Sequence, residues 1–514
     1  MAAVTLARSI EDLIEDLAEE LQVPRSRYEA AERSYRSVGA WLQRPDSSLR
    51  HATPQVYIQG SFRLGTVIKP IFETEDYDLD IVCELVVSKA SKSQAELKKM
   101  LGDEMIAYAK RYNMAPPEEG RRCWTLAYAD GAQFHLDALP SVPDGARKRQ
   151  ILEAVAMSAT WAGTAIAITD KEHPRYRQIT LDWLHSNPKG YALWFQSRMA
   201  PIFEARRHAI ALAARRRVED IPEYDVRTPL QTAVQILKRH RDVAFVDNPD
   251  DKPISIIITT LAAHAYRQQA TVAEALYDIL TRMDTFIENR NGISWIANPT
   301  DPQENFADRW ATHPDRQKAF YDWLAQARRD FSAAAMAPSK ALAAAALKRG
   351  MGEQLVESAA SRRGLGSSIS SAMRNAGTIA LTVLNPSYRK APPWTPAVLG
   401  TVKIDKAVVK QNGYRDREYQ SGSATLPKRC DLVFHAKTDI PWPYKVYWQV
   451  VNTGAEAARM KGGLRGGFDE GFIEGGWLKR NESTSYTGTH SIECFIVKNG
   501  YLAARSGQFL VRIQ

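Results

Sequence analysis

Cysteine is scarce in this sequence, and its spacing carries no chemistry. Cys83, Cys123, Cys430 and Cys494 are widely separated, with no C-x-x-C pair among them. Zinc-ribbon and thioredoxin-like readings are thereby excluded, and reduced thiols are expected. Long apolar runs are also lacking. The longest candidate, residues 254–263, is too short to span a bilayer. The opening M-A-A-V-T-L-A-R-S-I-E-D-L lacks the charged-then-apolar pattern of a secretory leader. A cytoplasmic protein without membrane contact is therefore expected. No repeat of fixed period occurs.

Neither sign of charge dominates. Lys and Arg number 68 against 59 Asp and Glu, giving a net charge of +9. That balance favours a polyanionic ligand, nucleotide or nucleic acid, without excluding either. With 44% hydrophobic and 25% charged residues, the chain has the make-up of an ordinary folded protein. Its 514 residues allow two or three domains.

Read in order, the pattern changes several times. Leu6, Ile10, Leu13, Ile14, Leu17 and Leu21 keep the 3–4 spacing of a buried helix face, and Pro24 opens a second helix. Residues 55–143 read as a mixed α/β core, with a helix over 92–113. R-C-W-T-L-A-Y and Q-F-H-L-D-A-L-P form a hairpin turned at Asp130-Gly131. Residues 201–331 read as a helical lobe. Arg206, Arg207, Arg215, Arg216 and Arg217 decorate one basic helix, and an apolar helix begins near Ser255. Residues 332–394, rich in Ala, Ser and Gly at their start, read as a partly helical connector. Residues 395–514 are an independent all-β domain, with a hairpin turn at Asn499-Gly500 and a Gly-rich loop, K-G-G-L-R-G-G-F.

One stretch, residues 59–85, organises the rest: Q-G-S-F-R-L-G-T-V-I-K-P-I-F-E-T-E-D-Y-D-L-D-I-V-C-E-L. Gly60 lets backbone approach a phosphate, and Ser61 adds a hydroxyl donor. Asp78 and Asp80, two apart on a strand, project from one face. Paired carboxylates repel each other unless a cation lies between them, and oxygen ligands of this kind suit Mg²⁺. Asp137 is a third strand carboxylate. A phosphate cradle followed by a metal-binding acidic pair is the layout needed for nucleotidyl transfer. Asp76 is an alternative partner, giving D-Y-D; Asp78 and Asp80 are preferred because they adjoin the apolar I-V-C run.

Blander readings compete elsewhere. The arginine-rich helix reads first as a solvated face, and Lys238 as one exposed cation in K-R-H-R. His135, His240 and His490 are not expected to be metal ligands. Trp442, Tyr444, Tyr447 and Trp448 read mostly as core, with some left exposed for a base to stack on.

The motifs G-S-F-R-L-G-T-V-I-K-P, Y-D-L-D-I-V-C-E-L, F-H-L-D-A-L-P, S-N-P-K-G-Y-A-L-W-F, L-K-R-H-R-D and K-P-I-S-I-I-I-T-T-L-A occur in this order. In this the chain resembles the bacterial cGAS/DncV-like nucleotidyltransferases (CD-NTases) of the DNA polymerase β-like superfamily. Residues 395–514 resemble the adenylyl/guanylyl and SMODS C-terminal sensor domain. The matching pieces are L-P-K-R-C-D-L-V-F, Y-W-Q-V-V-N-T-G-A-E-A and G-G-L-R-G-G-F, then Y-T-G-T-H-S-I-E-C-F-I-V-K and A-R-S-G-Q-F-L-V-R-I.

The resemblance implies a bilobed enzyme. Gly60 and Ser61 would grip the triphosphate, and Asp78 and Asp80, with Asp137, would hold two Mg²⁺ ions, Mn²⁺ being the alternative. Asp137 would lie near the attacking hydroxyl, and Lys238 and Ser255 would contact phosphate or base. The product would be a cyclic or linear oligonucleotide signal made from NTPs, ATP foremost. A separate effector would read it, in antiphage defence. The C-terminal domain would bind a nucleotide ligand through Arg465, Trp448 and Asn452. Two other readings stay open: a transferase that modifies tRNA, protein or a small molecule, and an inactive nucleotide-binding sensor.

Overall fold

The computed structural model describes residues 8–514 apart from 72–76, 129–133, 215, 363–385, 387, 395–399, 412 and 422–424. Asp76 and the Asp130-Gly131 turn lie outside the described residues. The chain divides into two compact units: Met1–Met199 with Arg227–Ser367, and Ala200–Val226 with Ser368–Gln514.

The first unit is built on a seven-stranded sheet. Strands β1 (Gln55–Ile58), β2 (Tyr77–Glu84), β3 (Glu118–Glu119), β4 (Trp124–Tyr128), β5 (Phe134–Pro143), β6 (Ile166–Ile168) and β7 (Leu184–Ser186) make it up. The order is β1-β2-β5-β4-β3, and the end of β5 also pairs with β6, which pairs with β7. The pairing of β2 with β5 is parallel; β4 and β5 form the expected antiparallel pair.

Alternation along the central strands divides the sheet's faces. Leu79, Ile81 and Cys83 of β2, with Phe134, Leu136 and Ala138 of β5, join a core with α2 (Arg25–Gln43) and α4 (Gln94–Arg111). The intervening residues, Asp78 and Asp80 on β2 and Asp137 on β5, therefore point to the opposite face. A complete capping box, Ser93 with Glu96, starts α4. Pro24 caps α2, as its sequence implies.

Helices α1 (Arg8–Glu20), α7 (Pro229–Ala244), α8 (Ser255–Ala265), α9 (Val272–Arg282), α10 (Pro314–Ala335), α11 (Lys340–Met351) and α12 (Glu353–Ser361) pack together in the same unit. Three others complete its helices: α3 (Gly60–Leu64), α5 (Gly145–Ala154) and the first half of α6 (Pro188–Ala213). The connector expected from residue 332 is thus helical and packed as far as residue 361. Ala343, Leu347, Met351, Val356 and Ala359 are buried. Alanine misled here because its small side chain lets helices pack closely while resembling low-complexity sequence.

Residues 200–226 group with the second unit. The basic helix expected through residue 217 ends at Ala213. Beyond it, Arg216 donates to the Asp220 carbonyl, and Arg217 pairs with the Asp220 carboxylate. These arginines close a turn and form no helical stripe.

The C-terminal part of the second unit is a sandwich of two five-stranded sheets. One has the order β13 (Arg417–Tyr419), β12 (Val402–Lys410), β14 (Asp431–Thr438), β18 (Trp477–Ser483), β17 (Phe472–Glu474). The other runs β16 (Arg465–Glu470), β15 (Lys445–Val451), β19 (Gly488–Lys498), β20 (Tyr501–Arg505), with β21 (Phe509–Ile513) also on β19. Inward residues of both sheets share one core, including Phe434, Trp448, Ile492 and Val511. At Asn499-Gly500 both residues have positive φ, 51° and 81°, as a tight two-residue hairpin requires. A single short helix, α13 (Ala455–Arg459), interrupts the strands.

Candidate active site

The candidate site is a cavity of about 920 Å³ in the first unit. Gly60, Ser61, Asp78, Asp80, Lys238 and Ser255 all line it. Asp137 is absent from the lining and stands beside Asp80. The two residues face each other in register across the parallel β2–β5 pair. Thr125 on β4, itself in register with Asp137, donates its hydroxyl to the Asp137 carboxylate.

Local backbone geometry sets the Gly-Ser turn against this acidic cluster. The Gln59 amide donates to the Asp80 carbonyl at 2.9 Å, carrying the β1–β2 ladder to its end. Gly60 then turns with φ +63°, and a Cβ there would collide with the Asp80 carboxylate. Glycine is required twice over, for its backbone conformation and for the space it leaves. The turn is closed by the Thr66 amide, which donates to the Ser61 carbonyl at 2.9 Å.

Electrostatics mark the same spot. Burial, then the carboxylates of Asp137 and Asp78, push the Asp80 carboxyl up to about 7, against the pull of Lys238. The Lys238 ammonium is brought down to about 8 by burial and by Arg241, while Asp242, Asp80 and Asp78 oppose that shift. Negative charge is therefore concentrated beyond what the protein's own cations offset.

Helix α7 holds the loop that follows the Gly-Ser turn. Gln231 donates to the Leu64 carbonyl at 3.0 Å, Gln235 to Val67 at 2.7 Å, and Lys238 to Thr66 at 2.9 Å. Arg239 donates to the carbonyls of Lys69 and Pro70. Every residue of the K-R-H-R run is buried, contrary to the solvated reading. Their charges end on backbone carbonyls or fixed partners. The His240 Nδ1 accepts from Trp323 Nε1 at 3.1 Å, which leaves Nε2 to donate to Asp330. His240 is thus a satisfied core residue.

Sequence reading missed Arg241, Asp242, Lys252 and Arg316, which also line the cavity. Arg241 donates to the Ser255 hydroxyl and the Pro253 carbonyl, each at 2.9 Å, and pairs with Asp242. Ser255 thereby starts α8 beside a fixed cation. The R-H-R-D run contained Arg241 as a signal; Arg316 on α10 had none.

Among the described residues, no group of three His, Cys, Asp or Glu side chains stands ready to enclose a metal ion. The chemistry of the donor set nevertheless fits a divalent cation. Hard carboxylate oxygens adjoin, and one of them is held near neutrality by its neighbours. No helix among the described residues is long and apolar enough to cross a membrane.

In the second unit the expected ligand residues separate. Arg465 and Asn452 line a smaller cavity of about 190 Å³. Trp448 does not; it is fully buried against Phe434 in the sandwich core. Its place on the inward face of β15 leaves no ring surface for a base, so the stacking role expected of it is withdrawn. His490 is likewise satisfied: its Nδ1 accepts from the Thr453 amide, and Nε2 donates to the Tyr486 carbonyl.

Comparison with known proteins adds two family matches. Residues 54–140 match the model "Cyclic GMP-AMP synthase DncV-like, nucleotidyltransferase domain", and residues 384–514 match "Adenylyl/Guanylyl and SMODS C-terminal sensor domain". A c-di-GMP synthase of Roseivirga ehrenbergii is 29% identical over 317 residues, covering 61% of this chain and 77% of that protein. The cyclic dinucleotide synthase CdnG of Bradyrhizobium diazoefficiens is 26% identical over 321 residues, 59% of this chain and 71% of its own. The structure of the B. diazoefficiens CD-NTase CdnG in complex with GTP superposes with a TM-score of 0.52 at 22% identity, covering 68% of this chain and 98% of that one.

Proposed function

Because the chain is a nucleotidyltransferase that joins a DncV-like catalytic domain to an adenylyl/guanylyl and SMODS C-terminal sensor domain, we propose that it condenses nucleoside triphosphates into a cyclic oligonucleotide with release of pyrophosphate. The observation that carries this is the Asp80–Asp137 pair, in register beside the Gly60-Ser61 turn of a cavity large enough for nucleotides. The c-di-GMP synthase relative draws the substrate reading toward GTP, where the sequence alone put ATP first.

Each residue has a defined task in this reading. Ser61 donates its hydroxyl to the triphosphate, Gly60 leaves the space for it, and Lys238 supplies a cation from α7. Asp137, oriented by the Thr125 hydroxyl, receives the attacking hydroxyl's proton on its carboxylate. Asp78, Asp80 and Asp137 would hold Mg²⁺ or Mn²⁺, two ions in the family's manner, which neutralise the triphosphate when bound. The C-terminal domain senses a ligand that sets the synthase's rate. The product acts as a messenger to a separate effector in antiphage defence.

Incubating the full chain with labelled GTP and ATP, Mg²⁺ and no acceptor tests the core of this. Mass spectrometry should find a cyclic product and pyrophosphate. Label appearing only on added tRNA or protein would replace the synthase reading with the modifying one. Retained nucleotide without turnover would favour an inactive sensor.

A further inference from the structure

The 190 Å³ cavity of the second unit opens between the two sheets of the sandwich. Its floor is apolar: Leu432 and Phe434 from one sheet, with Val450, Ile492, Val511 and Ile513 from the other. These are inward residues of the shared core, so the cavity is the open end of the sandwich interior.

Its mouth carries charge but no net charge. Arg465 and Asp469 on β16 face Arg480 and Glu482 on β18. Arg465 pairs with Glu482 and Asp469, and Arg480 pairs with the same two carboxylates, all at 2.5–2.7 Å. Two guanidiniums and two carboxylates thus close a ring between the edges of the sheets. Each charge has two opposite partners, so Arg465 is not an idle fork awaiting phosphate. An incoming phosphate would have to displace a carboxylate already bound bidentately and partly desolvated.

Hydrogen-bonding capacity remains on the wall. The Asn452 Nδ2 donates to the Gly463 carbonyl at 2.8 Å, and its Oδ1 has no partner among the described residues. The hydroxyl of Ser491, a buried lining residue, has none either. The imidazole of His490, also on the wall, is neutral by its hydrogen bonds, and burial holds its pKa down.

We infer that this cavity is the ligand site of the C-terminal domain, and that it takes one uncharged nucleobase, as free base or nucleoside, with any phosphate left in solvent. The inference rests on the sensing role given to this domain above. Size decides against a whole cyclic dinucleotide: drug-sized ligands occupy about 300–1,000 Å³, and this cavity holds about 190 Å³. An apolar floor receives the flat ring, while an acceptor at Asn452 and a donor-acceptor at Ser491 match the N–H and ring nitrogen of a base edge. The neutral ring at the mouth gives no preference for a phosphorylated form.

The test uses the full chain with its catalytic cavity saturated by a non-hydrolysable GTP analogue. Adenosine, guanosine, cytidine and uridine, with their 5′-monophosphates, are titrated by calorimetry. At least one nucleoside should bind, with its monophosphate within about threefold. Ser483→Trp, at an exposed position on the rim, should weaken that binding at least tenfold while leaving the melting curve and the analogue's binding unchanged. Asn452→Leu should weaken it too, as a second check should the tryptophan disturb the strand. Absence of nucleoside binding, a monophosphate ten times tighter, or full binding by both variants would overturn the site. A nucleoside that binds here without altering synthesis upholds the site and removes the sensing role. Altered regulation in a truncated chain with no nucleoside binding here does the reverse.

Discussion

Asp80 on β2 and Asp137 on β5 stand opposite one another on adjacent parallel strands, and the charge of one raises the affinity of the other for a proton. The pair is held together by the backbone ladder of the sheet, so neither carboxylate can move away to relieve the repulsion.

Asp80→Asn should abolish synthesis, by at least about a thousandfold, while stabilising the fold at neutral and higher pH. The folded-state pKa of Asp80, about 7, lies above its ordinary value of 3.8. Between these values the folded state binds the extra proton, so stability falls as pH rises through the window. The cost is full above pH 7, on the order of a few kcal/mol at about 1.4 kcal/mol per pKa unit. Thermal melts at pH 4 and pH 8 check this: the variant's gain should appear at pH 8 and vanish at pH 4. In the native protein, Mg²⁺ affinity should climb up to about pH 7 and level off beyond, because the ion competes with that proton.

Asp137→Asn should slow the chemical step far more than it weakens nucleotide binding. The change keeps the shape that receives the Thr125 hydroxyl and removes the base. A fall in kcat of a hundredfold or more, with nucleotide Kd within about threefold, is expected from single-turnover and equilibrium titrations. Lost affinity with normal turnover of bound nucleotide would assign the residue to binding instead.

Gly60→Ala should damage both fold and activity. Its φ of +63° and the adjacent Asp80 carboxylate leave no place for a methyl group. A cost of about 1–3 kcal/mol is expected from the backbone alone, and the displaced carboxylate should lower the rate a hundredfold or more. Calorimetric melting and pyrophosphate release measure the two effects separately.

Lys238→Met should raise the KM for triphosphate about tenfold or more and move the metal-binding pH profile upward. The ammonium opposes the rise in Asp80's pKa, so its loss lets that pKa climb further. In the native enzyme the cation itself fades above its pKa of about 8. Nucleotide affinity should therefore decline at alkaline pH in the native protein and stay flat in the variant.

Strand alternation made the catalytic face legible before any coordinates: Asp78 and Asp80 two apart, then Asp137 on a run with the same period. The β-rich character of residues 395–514 was equally plain from its β-branched and aromatic runs. What could not be read was long-range. Arg316 reaches the cavity from a helix some 180 residues beyond the second strand, with no local pattern to announce it. Lys238 and Arg239 looked solvated because composition records a charge without its partner; here the partners are carbonyls of residues 66 to 70. Trp448 failed for a related reason. Period-2 alternation says that one of two neighbours is inward, and only the pairing of both sheets shows which.

The hold of α7 on residues 64–70 also bears on which positions can change over generations. Backbone carbonyls are the same whatever side chain is attached, so the residues of the gripped loop can vary without loosening it. Gln231, Gln235, Lys238 and Arg239 have no such latitude, because each reaches a fixed acceptor from a fixed turn of helix. A saturation mutational scan should therefore find its intolerance on the helix, remote in sequence from the Gly-Ser turn, while the loop that touches nucleotide accepts many residues. Sequence drift in that loop would be silent, and the same drift one contact away would be lethal to activity.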